Sequence, residues 1–150
     1  MSRLALLLSA ALVPLAALAP QQTPAPESAP PTSYADIPAE AAKQPNPIRP
    51  SPESFARARK WWGLDCAMCH GKTGDGKGDL TADMKLKIAD LTDPTTLKDR
   101  TDGEIFYIIK KGFQDMPPEG DRIKSGENWD LVNYVRSFAR KKSDAEPKAQ

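Results

Sequence analysis

Cys66-Ala67-Met68-Cys69-His70 holds both cysteines and the single histidine of this 150-residue chain. Two thiols three residues apart, followed directly by an imidazole, form the arrangement used for covalent attachment of a c-type haem. On one helical turn, side chains at i and i+3 share a face, so both thiols can form thioethers with the two vinyl groups of one haem. The imidazole at i+4 then lies beneath the iron, where the proximal ligand sits. Other uses of a Cys-x-x-Cys pair lack their remaining parts. A structural zinc site would need a second pair of Cys or His ligands, and the chain contains none. A thioredoxin-like dithiol would sit beside a strand-helix-strand pattern, whereas the flanks Ala56 to Trp62 and Gly71 to Gly78 read as helix and glycine-rich loop. A plain Cys66–Cys69 disulfide is the remaining alternative.

A closed iron site needs a ligand on the other face, and the chain offers four methionines for it. Met1 lies in the leader, and Met68 sits inside the attachment segment on the proximal side. Met84, between Leu80 and Leu86, reads as plastic core filler. Met116 follows Gly112-Phe113-Gln114-Asp115 and precedes Pro117-Pro118, so its loop is stiff and the residue before proline is held extended. Cys66, Cys69, His70 and Met116 are therefore the expected cofactor-binding residues, His70 and Met116 the expected iron ligands, and no catalytic residue is expected.

Met1-Ser2-Arg3 gives a short positive start, and Leu4 to Ala19 is apolar apart from Ser9 and Pro14. This is the pattern of an export signal, so residues 1–19 are expected to be a signal peptide or an uncleaved anchor and the protein to be periplasmic or otherwise extracytoplasmic. Retention would leave a tether to the membrane, although the 16-residue apolar stretch falls short of the roughly 20 residues that span a bilayer comfortably. Ten of the fifteen prolines fall between Pro20 and Pro52. Such a composition lacks the apolar content to offset ordering entropy, and residues 20–51 are expected to be a flexible linker. A single domain should occupy residues 52–142, followed by a disordered polar tail over 143–150. With 21 basic and 20 acidic residues, the chain carries no electrostatic footprint for nucleic acid.

Helix signals dominate the domain. Ser51-Pro52 caps a helix through Phe55, Ala58 and Trp62 that Gly63 should end. Asp93-Pro94 should open a short helix. Thr101-Asp102-Gly103-Glu104 is a capping box, and Ile105, Ile108 and Ile109 give the following helix an apolar face that ends at Gly112. After Ser125, the spacing of Leu131, Tyr134, Val135 and Phe138 predicts a final helix with Asp130, Asn133 and Arg140 toward solvent. No stretch alternates as a strand. In so short a domain a covalent haem would be part of the core, and its removal should unfold the chain.

Over residues 54–141 the chain resembles the small class I monohaem cytochromes c. The likeness rests on Cys66-Ala67-Met68-Cys69-His70-Gly71, then Gly74, Gly76 and Gly78, Ala89-Asp90-Leu91-Thr92, Thr101-Asp102-Gly103-Glu104-Ile105, Gly112, Met116-Pro117, Trp129 and Tyr134. It implies an all-α cytochrome c fold, with three main helices plus short helices and loops wrapped around one haem c. It also implies that Ala58 stands where first and last helices cross, with Trp62 at the usual aromatic position. Asp79 replaces a common proline whose backbone carbonyl orients the proximal imidazole, and Ile88 replaces another. The implied activity is one-electron transfer between a redox donor and acceptor, not catalysis. Two alternatives remain: a haem c subunit of a larger respiratory oxidase or dehydrogenase complex, and a gas sensor or peroxidase with a labile sixth ligand.

Overall fold

The computed structural model describes residues 29–145. The expected signal or anchor, the start of the linker (residues 20–28) and the end of the tail (residues 146–150) lie outside the described residues, as does the side chain of Arg140. Within the described residues the chain forms helices and turns, with no strand, in agreement with the expected all-α class.

A single 3-10 turn covers Tyr34–Asp36, and α1 spans Ala39–Ala42. The first long helix, α2 (Pro52–Trp61), starts as its sequence requires. Ser51 Oγ accepts from the Ser54 N–H at 3.1 Å, and Ser54 Oγ accepts from the Ser51 N–H at 3.0 Å. Pro52 fills the first helical position, where a missing N–H costs no hydrogen bond. The expected stop at Gly63 is not taken. Gly63 stays out of the left-handed region, so the backbone widens into a π turn over Trp62–Cys66 and continues as α3 (Ala67–His70). Glycine permits a helix end without imposing one; the break comes at Gly71, with φ +77°.

Three further helices follow: α4 (Asp79–Asp83), α5 (Asp102–Lys111) and α6 (Ser125–Ala145). In α5 the Thr101–Glu104 capping box is formed in both directions. The short helix expected at Asp93-Pro94 is replaced by consecutive turns. Asp93 Oδ1 accepts from the Thr95 N–H and hydroxyl, both at 2.8 Å, and Asp90 Oδ1 does the same for Thr92. These local bonds compete with the helical ladder. α6 runs to Ala145, beyond the expected start of the tail at residue 143.

The core forms where α2 crosses α6. Ala58, with no exposed surface, lets the two backbones approach, and Trp62, Leu131, Tyr134, Val135 and Phe138 bury around the crossing. Ile105 and Ile109 close it from α5. Asp130 and Asn133, expected toward solvent, are buried instead. Arg57 donates to the Asp130 carboxylate through Nε at 2.6 Å and Nη2 at 3.2 Å. Asn133 accepts from Asn46 at 3.1 Å and donates to the Ile48 carbonyl at 2.9 Å. Both of these polar side chains, which periodicity assigns to water, have a protein partner, which is the condition for burying them.

Asn46 and Ile48 belong to the segment expected to be a flexible linker. Its described part lies along the domain: Pro31 and Ile37 are buried, and Thr101 Oγ1 donates to the Ala42 carbonyl at 2.7 Å. Gly103 of α5 is the residue against which the Ala41 carbonyl packs, leaving no space for a Cβ. A composition rich in proline hides these anchors, and proline itself lowers the entropy lost when the segment is ordered.

Two predictions follow from this packing. Arg57→Ala strands the Asp130 carboxylate, whose side chain is 1% exposed, and lowers stability in denaturant unfolding by about 2 kcal/mol, as expected for losing a hydrogen bond to a buried charge. Asp36 accepts from the Ser33 N–H at 2.8 Å and from the Thr32 N–H at 3.2 Å, and chiefly the Ser33 backbone bond holds its carboxyl below the usual 3.8. A depressed carboxylate stabilises above its ordinary pKa and loses that contribution as pH falls through the lowered value. Melting curves taken between about pH 5 and pH 2 should therefore show a shallower acid limb for Asp36→Asn.

Candidate functional site

The helix crossing at Ala58 fixes the direction in which α2 leaves the core, and the π turn carries the chain from Trp62 to Cys66. The indole of Trp62 donates to the Gly71 carbonyl at 3.2 Å. Its ring centroid lies 5.7 Å from that of His70 and 4.8 Å from that of Phe138, so one buried aromatic ties the attachment segment to α6. The carbonyls at the end of α3, which have no partner within the helix, are satisfied by the glycine loop. Gly76 N–H donates to the His70 carbonyl at 2.9 Å, and Gly78 N–H to the Cys69 carbonyl at 3.1 Å. Thr81 Oγ1 adds a second bond to Cys69 O at 2.8 Å. Gly78 packs directly on the backbone of Met68, where no side chain fits.

The facing wall comes from the loop after α5. Phe113 and Met116 exchange backbone hydrogen bonds, Phe113 N–H to Met116 O at 3.0 Å and Met116 N–H to Phe113 O at 2.8 Å. Beyond Met116 the loop returns to α5: Glu119 N–H donates to Ile109 O at 3.0 Å and Gly120 N–H to Lys110 O at 2.9 Å. Between the walls lies a cavity of about 230 Å³ lined by Cys66, His70 and Met116 together with core side chains such as Leu91, Ile105 and Val135. Packed interiors hold few voids larger than a water molecule, so these side chains outline room for a bulky apolar group.

Electrostatics suits the attachment segment to neutral donors. Burial, then the negative charges of Glu119 and Asp65, push the Cys66 thiol up to about 12. Arg122 opposes that rise while it pairs with Asp65 at 2.9 Å and Glu119 at 2.5 Å. Burial lowers the His70 pKa below its usual value and favours the neutral imidazole, the form that binds a metal. Nδ1 of His70 is buried without a hydrogen-bond partner, so the Asp79 carbonyl does not reach it where the family's proline carbonyl orients the imidazole. A part-buried imidazole, a part-buried thiol and a thioether around one apolar cavity fit a haem.

Of the expected site residues, Cys66, His70 and Met116 share the cavity, while Cys69, on α3, does not line it. Cys66 and Cys69 form no disulfide with each other. Met84 is 59% exposed, which corrects its reading as core filler; the chain turns at Lys85, φ +54°, and carries Met84 away from the interior. Tyr34, Arg100, Phe113 and Gln114 also line the cavity; sequence reasoning gives no site role to Tyr34, Phe113 or Gln114, and takes Arg100 as a cation that could meet a propionate but is more often simply solvated. Tyr34 had only a faint signal, an aromatic residue interrupting a proline-rich stretch.

Fold and site together define a small class I monohaem cytochrome c domain, which binds covalently attached haem c with its iron. A family model described as cytochrome c oxidase, cbb3-type, subunit III matches residues 53–135, and the chain belongs to that family. The cytochrome c subunit of the cytochrome bc1 complex of Corynebacterium diphtheriae is 33% identical over 87 residues, which make up 57% of this chain and 28% of that relative. The chain thus matches well under a third of that subunit's length. A solved structure of a reducing HAO-like protein complex of Kuenenia stuttgartiensis is similar with a TM-score of 0.54 at 24% identity, covering 61% of this chain and 46% of that one; this likeness concerns the fold.

Proposed function

We propose that this chain is an exported carrier of single electrons, with thioethers at Cys66 and Cys69, His70 as proximal ligand and Met116 as sixth ligand. The supporting observation is that Cys66, His70 and Met116, from opposite walls of the fold, line one apolar cavity. Haem c supplies one-electron exchange at its iron. His70 and Met116 would hold the iron and leave oxygen or a substrate no place on it, and the methionine sulfur would raise the potential. The protein's part is then burial, orientation and exclusion of water, with no general acid or base. That division of labour is what a carrier needs and an enzyme does not.

A second reading is that the domain works inside a larger redox assembly, as a haem c subunit. It is favoured by the family description, an oxidase subunit, and by the bc1-complex relative. Among the described residues no helix is long and apolar enough to cross a membrane, so attachment to such an assembly would run through protein contacts or through residues 1–19. Copurification with a larger complex from solubilised membranes supports this reading, and recovery as a monomer in the soluble extracytoplasmic fraction supports a free carrier.

Met116→Ala should keep its covalent haem yet bind carbon monoxide readily in the ferrous state, lose the methionine-to-iron charge-transfer band and fall in potential. A variant that stays closed to carbon monoxide overturns the ligand assignment. Cys66→Ser should show reduced haem staining on a denaturing gel, because one of two thioethers is lost.

A further inference from the structure

The turn that presents Met116 is strained. Gln114 has φ +51° while Asp115 does not share the positive sign, the pattern of a two-residue turn whose first central position ordinarily holds glycine. A side chain in that region persists only where its surroundings over-determine it. The surroundings here are supplied by residues 31–34. Gln114 N–H donates to the Pro31 carbonyl at 2.9 Å, and Gln114 Nε2 donates to the Thr32 carbonyl at 3.0 Å. Next to it, the ring of Tyr34 stacks on Phe113 with centroids 4.7 Å apart and planes 27° from parallel. The Arg100 guanidinium lies over the Tyr34 ring at 4.1 Å, and its Nη1 donates to Glu104 at 3.3 Å. Pro31 is buried, and the carboxylate of Asp36 caps Ser33 and Thr32 from below. The segment is thus clamped to α5 on one side and to the loop on the other.

We propose that residues 31–36 are a strap that positions the Met116 loop, with Tyr34 as the positioning residue, so that the sixth ligand is kept on the iron by a segment N-terminal to the cytochrome domain. The proposal rests on the reading of Met116 as that ligand. Releasing the strap leaves Gln114 without its two hydrogen bonds and Phe113 without its stacked partner. The loop then relaxes, and the closed arrangement loses population to one with the methionine displaced.

The test uses the full haem-loaded chain and reads the methionine-to-iron charge-transfer band, the ferrous carbon monoxide binding rate and the potential. Tyr34→Ala should weaken the band, lower the potential and raise carbon monoxide binding roughly tenfold, the upper size for losing one stacked aromatic pair. Tyr34→Phe, which keeps the stack, should match the parent chain. Arg57→Ala, which lowers stability by stranding Asp130 and touches neither the cavity nor the Met116 loop, should also leave the three readouts unchanged. The proposal falls if Tyr34→Ala behaves as the parent while Met116→Ala opens the site; the ligand reading then still stands. It also falls if Tyr34→Phe or Arg57→Ala opens the site as far as Tyr34→Ala does. If Met116→Ala itself stays closed, the ligand reading fails and the strap with it. Tyr34 is 45% exposed, so its truncation leaves the core packed and these outcomes can be read.

Discussion

The crossing of α2 and α6 at Ala58 is the contact from which the other placements follow. A larger residue there would hold the helices apart, and Trp62 one turn later could no longer wedge between His70 and Phe138. Trp62 anchors Gly71 through its indole N–H, Gly71 ends α3, and the glycine loop satisfies the carbonyls that α3 leaves open. A single close approach of two backbones thereby sets the direction of the imidazole-bearing wall. The opposing wall hangs from α5, which packs on α6 through Ile105 and Ile109. The cavity is the space these two constructions leave between them.

That arrangement divides the protein's work between a rigid wall and a loop. The His70 side is held by a helix, a buried aromatic and a loop whose glycines leave no room for side chains. The Met116 side rests on a tight turn with a non-glycine residue at positive φ, braced by chain that precedes the domain. Local stability is not uniform within a fold, and ligand-bearing loops come from its weaker end. On the proposed ligation, a methionine sulfur would be a weaker partner for iron than an imidazole with a covalent tether behind it, so support for the loop would have more influence on how closed the site remains.

Much of the site was legible in the sequence because its chemistry is local. Five consecutive residues hold every cysteine and histidine of the chain, and elimination among four methionines points to Met116, which lines the same cavity as His70. Helix starts were equally readable: the cap at Ser51-Pro52 and the box at Thr101 are complete within four residues and form as expected. Helix ends were less so. Gly63 carries the sign of a stop, yet the chain runs through it in a π turn, because packing of Trp62 and α3 rewards continuation. At Asp93-Pro94 the expected helix does not form, because Asp93 accepts locally from Thr95, as Asp90 does from Thr92, and the chain stays in turns.

What the residues alone determined is therefore the covalent chemistry, the helical class and the places where helices begin, since each depends on neighbours within a turn or two. Tertiary structure decided which polar groups go inside and what the proline-rich segment does. Asp130 and Asn133 look solvent-facing on a helical wheel, and only Arg57, Asn46 and Ile48, brought from remote positions, make their burial favourable. Tyr34 gains a place beside Met116 in the same way, through contacts separated by some 80 residues of chain. Periodicity and composition describe a segment against water; they do not specify the partner that replaces water when the chain folds.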